Sequence, residues 1–193
     1  MLAESDQGLV SRVPQQLDEI AADVVALHGQ AAADAGVRLE TDLAPVTVVG
    51  ERVLLERLVT NLVQNGVRYN RRDGVVRVVV RPAAGGALLE VVNTGDPVPP
   101  GAVAGLFEPF KRLRGERIDH TGGSGLGLTI VRSIVAAHDG TVKAHAREAG
   151  EGGLRVEVEP ARRRALTAVR ERVTRCPGTS CSPSRWRGRR RGR

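Results

Sequence analysis

Between Pro14 and Glu159 the apolar residues change rhythm repeatedly, and this alternation restricts the fold more than any single motif. Leu17, Ile20, Val24, Leu27 and Ala31 recur at steps of three and four, which predicts a helix from Pro14 to about Ala35, with Gly36 as its stop. Val37–Leu43 alternates with period two, and Val46–Val49 is a second short strand candidate. Helical spacing returns over Glu51–Tyr69, where Leu54, Leu55, Leu58, Val59, Leu62 and Val63 share a side. Asp73-Gly74 marks a turn, and Val75–Val80 with Ala87–Val92 read as a β-hairpin joined through Pro82–Gly86. A long Gly-, Pro- and charge-rich segment, 93–124, is broken by Phe107–Phe110. A helix over Gly125–His138 follows, then a strand at Thr141–Ala146, a turn around Gly150–Gly153, and a strand at Leu154–Glu159. Helices and strands interleaved without repeat predict one α/β layered domain.

The core of that domain has to be aliphatic, because aromatic residues make up only 2% of the 193. Charge is unevenly spread. Residues 161–193 hold 12 of the 29 Lys and Arg and one of the 22 Asp and Glu, so the formal +7 comes from the tail and residues 1–160 are mildly acidic. A tail rich in Arg, Gly, Ser and Pro buries too little surface to offset chain ordering, and is read as a disordered extension. Attraction to nucleic acid or an anionic membrane is the alternative for it. Cys176 and Cys181 both lie there without His or Cys partners for a zinc site, and read as reduced thiols. No run approaches the ~18 apolar residues that span a bilayer, and the first residues lack a signal peptide's basic start and apolar stretch. The expected location is the cytoplasm.

Four short stretches carry candidate chemistry. Asn61 and Asn65 stand four apart on one helix face, and a carboxamide oxygen suits Mg²⁺ that already carries phosphate and water. Asn93-Thr94-Gly95-Asp96-Pro97 puts a polar side chain at a strand end, where it can meet the edge of a heterocycle. Phe107-Glu108-Pro109-Phe110-Lys111-Arg112 places two of the four aromatic residues inside the long loop, followed by cations able to reach a terminal phosphate. Gly122-Gly123-Ser124-Gly125-Leu126-Gly127-Leu128 leads into a helix, and glycines before a helix N-terminus turn N–H groups toward an anion.

Taken in order between residues 61 and 128, these stretches resemble the boxes of the sensor histidine kinase ATP-binding domain. The wider superfamily includes gyrase, heat-shock chaperone and mismatch-repair ATPases. Asn61–Tyr69 resembles the N box, Asn93–Pro97 the first glycine box, Phe107–Phe110 the F box, and Gly123–Leu128 the second glycine box. The resemblance implies a two-layer α+β sandwich, with a mixed, mostly antiparallel sheet covered on one face by helices. ATP would lie between the helices and a flexible lid over 111–124. It further implies that residues 1–10 end a dimerisation helix, 11–160 form the ATP-binding domain, and 161–193 are the tail.

Residue by residue, the resemblance implies Asn65 as the Mg²⁺ ligand, Asn61 beside the phosphates, and Asn93 facing adenine with Gly95 giving the base room. Arg68, Tyr69, Pro97, Phe107, Phe110, Gly123, Ser124, Gly125, Leu126, Gly127 and Leu128 complete the nucleotide site, with Lys111 and Arg112 joining Asn61 in the transfer step. Hydrolysing relatives carry a Glu base where Asn61 stands, and a neutral amide takes no proton from water, so transfer to a protein is expected rather than hydrolysis.

Two positions depart from the family pattern, Asn93 standing for Asp and Leu154 for Thr. Both changes weaken polar reading of the base. The family's phosphoacceptor His is also missing. His28, His120, His138 and His145 have the wrong neighbours, with His28 and His138 reading as helix-end residues and His145 as a strand residue. The implied activity is transfer of the ATP γ-phosphate to a histidine of a dimerisation domain, in trans or upstream, with a response regulator beyond. A serine kinase of the anti-sigma-factor type, or a non-catalytic nucleotide-binding remnant, are the rival readings.

Overall fold

The computed structural model describes residues 12–109, 125–147 and 152–160. The chain divides after Arg163, and every described residue belongs to the first unit. The apolar rhythms become, in order, β1 (Val13–Gln16), α1 (Leu17–Asp34), β2 (Val37–Leu43), β3 (Thr47–Gly50), α2 (Arg52–Arg68), β4 (Gly74–Ala83) and β5 (Gly86–Asn93). Then come a short α3 (Pro100–Val103), a 3₁₀ turn (Ala104–Phe107), α4 (Gly127–Ala137), β6 (Thr141–Ala146) and β7 (Leu154–Glu159).

Five strands form one sheet in the order β2-β4-β5-β7-β6, parallel only at β2-β4. The parallel pair is the one that α2 has to cross, while β4 and β5 are close enough in sequence for a hairpin. Period two decides which side is covered: Val76, Val78 and Val80 of β4, Leu89 and Val91 of β5, and Val156 and Val158 of β7 are buried. Against them lie Ile20, Ala21 and Val24 of α1, Leu58, Val59, Leu62 and Val63 of α2, and Val131, Ile134 and Val135 of α4. The result is the two-layer, mostly antiparallel sandwich that the patterning and the resemblance imply.

Two expectations change. Pro14 does not open the first helix. Residues 13–16 form β1, antiparallel to β3, with Gln15 opposite Val48. The helix starts at Leu17, whose N–H donates to the Val46 carbonyl at 2.9 Å, while Asp18 accepts from the Val46 N–H at 3.1 Å. This exchange pins the first turn to the β2–β3 connection. His28 is likewise not a helix-end residue but an interior residue of α1, hydrogen-bonded to the Val24 carbonyl. His138 does end α4. Its ring is buried, donates from Nδ1 to the Ile134 carbonyl at 2.8 Å and accepts the Glu51 N–H at Nε2. That contact ties the end of α4 to the start of α2. A Cβ on Gly50 would stand 2.8 Å from the same ring, so glycine is required there by packing.

Among the described residues no helix is long and apolar enough to cross a membrane. Residues 1–10, the whole of the implied lid over 111–124, His120, both cysteines and the basic tail lie outside the described residues.

Candidate functional site

A cleft of about 250 Å³ opens between α2, the ends of β5 and β7, the 93–98 turn and the start of α4. Its inner part is apolar, formed by Leu62, Val91, Val98, Leu106, Leu154 and Val156. Asn93 is the buried polar residue in that wall, 8% exposed. Its Nδ2 donates to the Thr94 carbonyl at 2.7 Å, and no buried side-chain polar atom among the described residues lacks a partner. Asn93 Oδ1 is therefore the acceptor this side chain offers to the cleft. A flat apolar ring with an amino group on its edge matches that surface.

Backbone crowding holds the wall in place. Asn70, just past α2, uses its whole carboxamide: Nδ2 donates to the Gly66 and Val75 carbonyls at 3.1 Å each, and Oδ1 accepts from Arg71 N–H at 3.0 Å and from the Thr94 hydroxyl at 2.6 Å. Thr94 Oγ1 in turn accepts from Val75 N–H at 2.8 Å. A Cβ on Gly74 would lie 2.0 Å from Asn70 Oδ1, so the glycine makes room for this network. Gly153, at φ +91, would bring a Cβ to 1.9 Å from the Asn93 carbonyl oxygen. Sequence reading missed Asn70 and Gly153, because their partners are distant in the chain or belong to the backbone.

The cleft continues into a polar recess of about 140 Å³ bordered by Asn61, Gln64, Asn65, Arg68, Tyr69, Gly125 and Gly127. Asn65, Arg68, Tyr69, Gly125 and Gly127 border both spaces, so the two form one site. α4 starts here without a side-chain cap, and its first N–H groups have no intrahelical partner. Those donors, with the helix's positive end, favour an anion. Gly127, in the first turn, leaves so little space that a Cβ would sit 3.0 Å from Asn65 Nδ2. The Asn65 carboxamide thus lies against the helix start where phosphate would bind. Arg68 stacks over the Tyr69 ring with its guanidinium carbon 5.7 Å from the centroid.

The donor set also decides what metal chemistry fits. Among the described residues no group of three His, Cys, Asp or Glu could hold a metal ion. The recess offers neutral carboxamide oxygens instead, which suit Mg²⁺ arriving with phosphate oxygens and water as most of its shell.

Of the residues singled out in the sequence, Asn65, Arg68, Tyr69, Asn93, Gly125, Gly127 and Leu128 line the cleft and Asn61 lines the recess. Gly95, Pro97, Leu126 and Phe107 are near but not part of its lining. Gly95 has a different reason to be glycine: a Cβ would lie 2.4 Å from the Tyr69 carbonyl oxygen. Pro97 bridges to Gly153, and the Phe107 carbonyl accepts from the Thr129 hydroxyl at 3.2 Å, tying the 3₁₀ turn to α4. Phe110, Lys111, Arg112, Gly123 and Ser124 fall outside the described residues.

Comparison with known proteins agrees with this geometry. Residues 50–164 match the family described as histidine kinase-, DNA gyrase B-, and HSP90-like ATPase. The sensor protein CutS of Streptomyces coelicolor is 44% identical over 157 residues, covering 81% of this chain but 38% of CutS. The sensor-like histidine kinase SenX3 of Mycobacterium tuberculosis is 35% identical over 129 residues, 66% of this chain and 31% of SenX3. The chain thus spans well under half the length of these relatives. Among solved structures, the mycobacterial sensor histidine kinase MprB superposes with a TM-score of 0.68 at 26% identity, covering 78% of this chain and 98% of that one. Full-length ShkA, solved in complex with AMPPNP, superposes with a TM-score of 0.66 at 25% identity, covering 79% of this chain and 32% of ShkA.

Proposed function

The chain belongs to the histidine kinase-, DNA gyrase B-, and HSP90-like ATPase family, and on that premise we propose that it holds Mg-ATP and delivers the γ-phosphate to a histidine on a separate domain. One observation carries this reading: an apolar slot ending at a buried acceptor, Asn93 Oδ1, runs into a recess beside a helix start with no side-chain cap among the described residues. The slot takes adenine between aliphatic side chains, and Asn93 accepts from its amino group. The first N–H groups of α4 bind the phosphates. Asn65 holds the magnesium ion, which when bound neutralises phosphate charge. Arg68 places a further cation at the recess.

Asn61 decides between hydrolysis and transfer. Its Nδ2 donates to the Arg57 carbonyl at 2.7 Å, which leaves at this position a neutral oxygen that takes no proton from water. The phosphate is therefore kept for a protein acceptor, and positioning with charge neutralisation supplies most of the rate. We assign the acceptor to the histidine-bearing dimerisation domain, with a response regulator as the next recipient and the cytoplasm, where ATP is made, as the site of action.

The test is labelling with γ-³²P-ATP in the presence of a separately produced dimerisation domain from a sensor kinase relative. Acid-labile label on that domain supports histidine transfer. Acid-stable label indicates a serine kinase instead, and tight ATP binding with no transfer to any supplied acceptor marks a nucleotide-binding remnant.

A further inference from the structure

Asn61, Gln64 and Asn65 stand at i, i+3 and i+4 on α2 and therefore share one face, all three bordering the polar recess. Asn61 and Asn65 have roles in the reading above, whereas Gln64 has none. Its environment is nevertheless specific. Gln64 Nε2 lies 3.2 Å from Nε2 of His28, across from α1. His28 Nδ1 lies 2.9 Å from the Val24 carbonyl, an acceptor only, so Nδ1 carries the proton and donates. In the neutral ring His28 Nε2 is then an acceptor, and the Gln64 NH₂ faces it. Gln64 Oε1 remains for the recess, together with the amide's second N–H.

The same bias appears at Asn61, whose NH₂ is engaged by the Arg57 carbonyl. Two neighbouring carboxamides thus each commit one N–H to protein, while their oxygens accept from no described residue. Those oxygens repel phosphate oxygens and accept from water. Mg²⁺ gives up its waters reluctantly and keeps several when bound beside phosphates, so its hydration shell presents O–H donors to such oxygens.

We propose that Gln64 Oε1 accepts a hydrogen bond from a water of the magnesium ion that enters with the nucleotide, and that His28 is the positioning residue fixing which end of the Gln64 amide meets the recess. This rests on the Mg-ATP reading above and adds to it the second layer of the cation site, supplied jointly by α1 and α2. If Gln64 instead served the phosphates directly through its second N–H, the loss on removing it would appear in EDTA as well as in Mg²⁺.

The test is calorimetric titration of the full chain with AMPPNP, once in Mg²⁺ and once in EDTA. The expected result for Gln64→Leu is an affinity loss of about tenfold in Mg²⁺, in the range known for outer-shell partners, and unchanged affinity in EDTA. Gln64→Glu, which keeps an oxygen at the position, retains or widens the Mg²⁺-to-EDTA ratio. His28→Phe loses less than Gln64→Leu in Mg²⁺, and loses nothing further when made in the Gln64→Leu background, because it acts only through that amide. Equal loss in both buffers, no loss in either, or additive effects of the two substitutions would overturn the proposal. A native chain that binds AMPPNP in neither buffer would instead overturn the nucleotide reading on which it stands.

Discussion

The two ends of the cleft are built in opposite ways. At the apolar end the wall is backbone packed on backbone: Gly74, Gly95 and Gly153 each sit where a Cβ would meet a polar atom within 2.4 Å, and Asn70 satisfies four hydrogen-bonding groups. At the polar end the boundary is a row of side chains on α2 facing a helix start whose first N–H groups have no intrahelical partner. One end is saturated and leaves the buried Asn93 oxygen for a ligand. The other presents N–H groups that have no partner within the helix, which suits an anion with its cation. On the proposed reading the base is recognised by shape together with the Asn93 oxygen, and the phosphates by the N–H groups of the helix start.

Substitutions should separate the two ends. The largest effect is expected at the saturated end. Gly153→Ala puts a Cβ against the Asn93 carbonyl at a backbone angle only glycine adopts easily, and should destabilise the domain by about 3 kcal/mol in urea unfolding. Asn93→Ala is milder. It removes the buried acceptor while leaving the backbone, so ATP affinity should fall about tenfold, the worth of one hydrogen bond, and the preference for ATP over GTP should narrow. A titration showing unchanged discrimination would mean the base is read by shape alone. The smallest effect belongs to neither end. Arg77→Ala removes an exposed pair with Glu40 at 3.8 Å on the uncovered side of the sheet, and should cost under about 0.5 kcal/mol with no change in nucleotide binding.

Legibility in the sequence follows the same division. The sheet and three long helices were readable because a periodic apolar stripe is a local signal, recorded within each element. The polar end was readable too, since Asn61 and Asn65 are neighbours on one helix and residues 125–128 run directly into the first turn of α4. The saturated end was not. Asn70 meets Thr94 and Gly153 meets Asn93 across gaps no period encodes. Pro14 misleads for a related reason. Proline fits the first turn of a helix as well as an edge strand, and only pairing of Gln15 with Val48 decides the matter. The short α3 and 3₁₀ turn inside 93–124 are too brief for any period to show. His28 illustrates the functional cost: read alone it is one more helix residue, and only its contact with Gln64 connects it to the site.

The central claim, that the recess at the start of α4 holds a phosphate with its magnesium ion through Asn65, is tested most directly by ATP titration of Asn65→Ala in Mg²⁺ and in EDTA, beside a thermal melt. The account predicts that the substitution removes nearly all of the Mg²⁺-dependent gain in affinity, about 100-fold, while binding in EDTA and the melting temperature stay close to those of the native chain. An Asn65→Ala protein that binds Mg-ATP as tightly as the native one would contradict it.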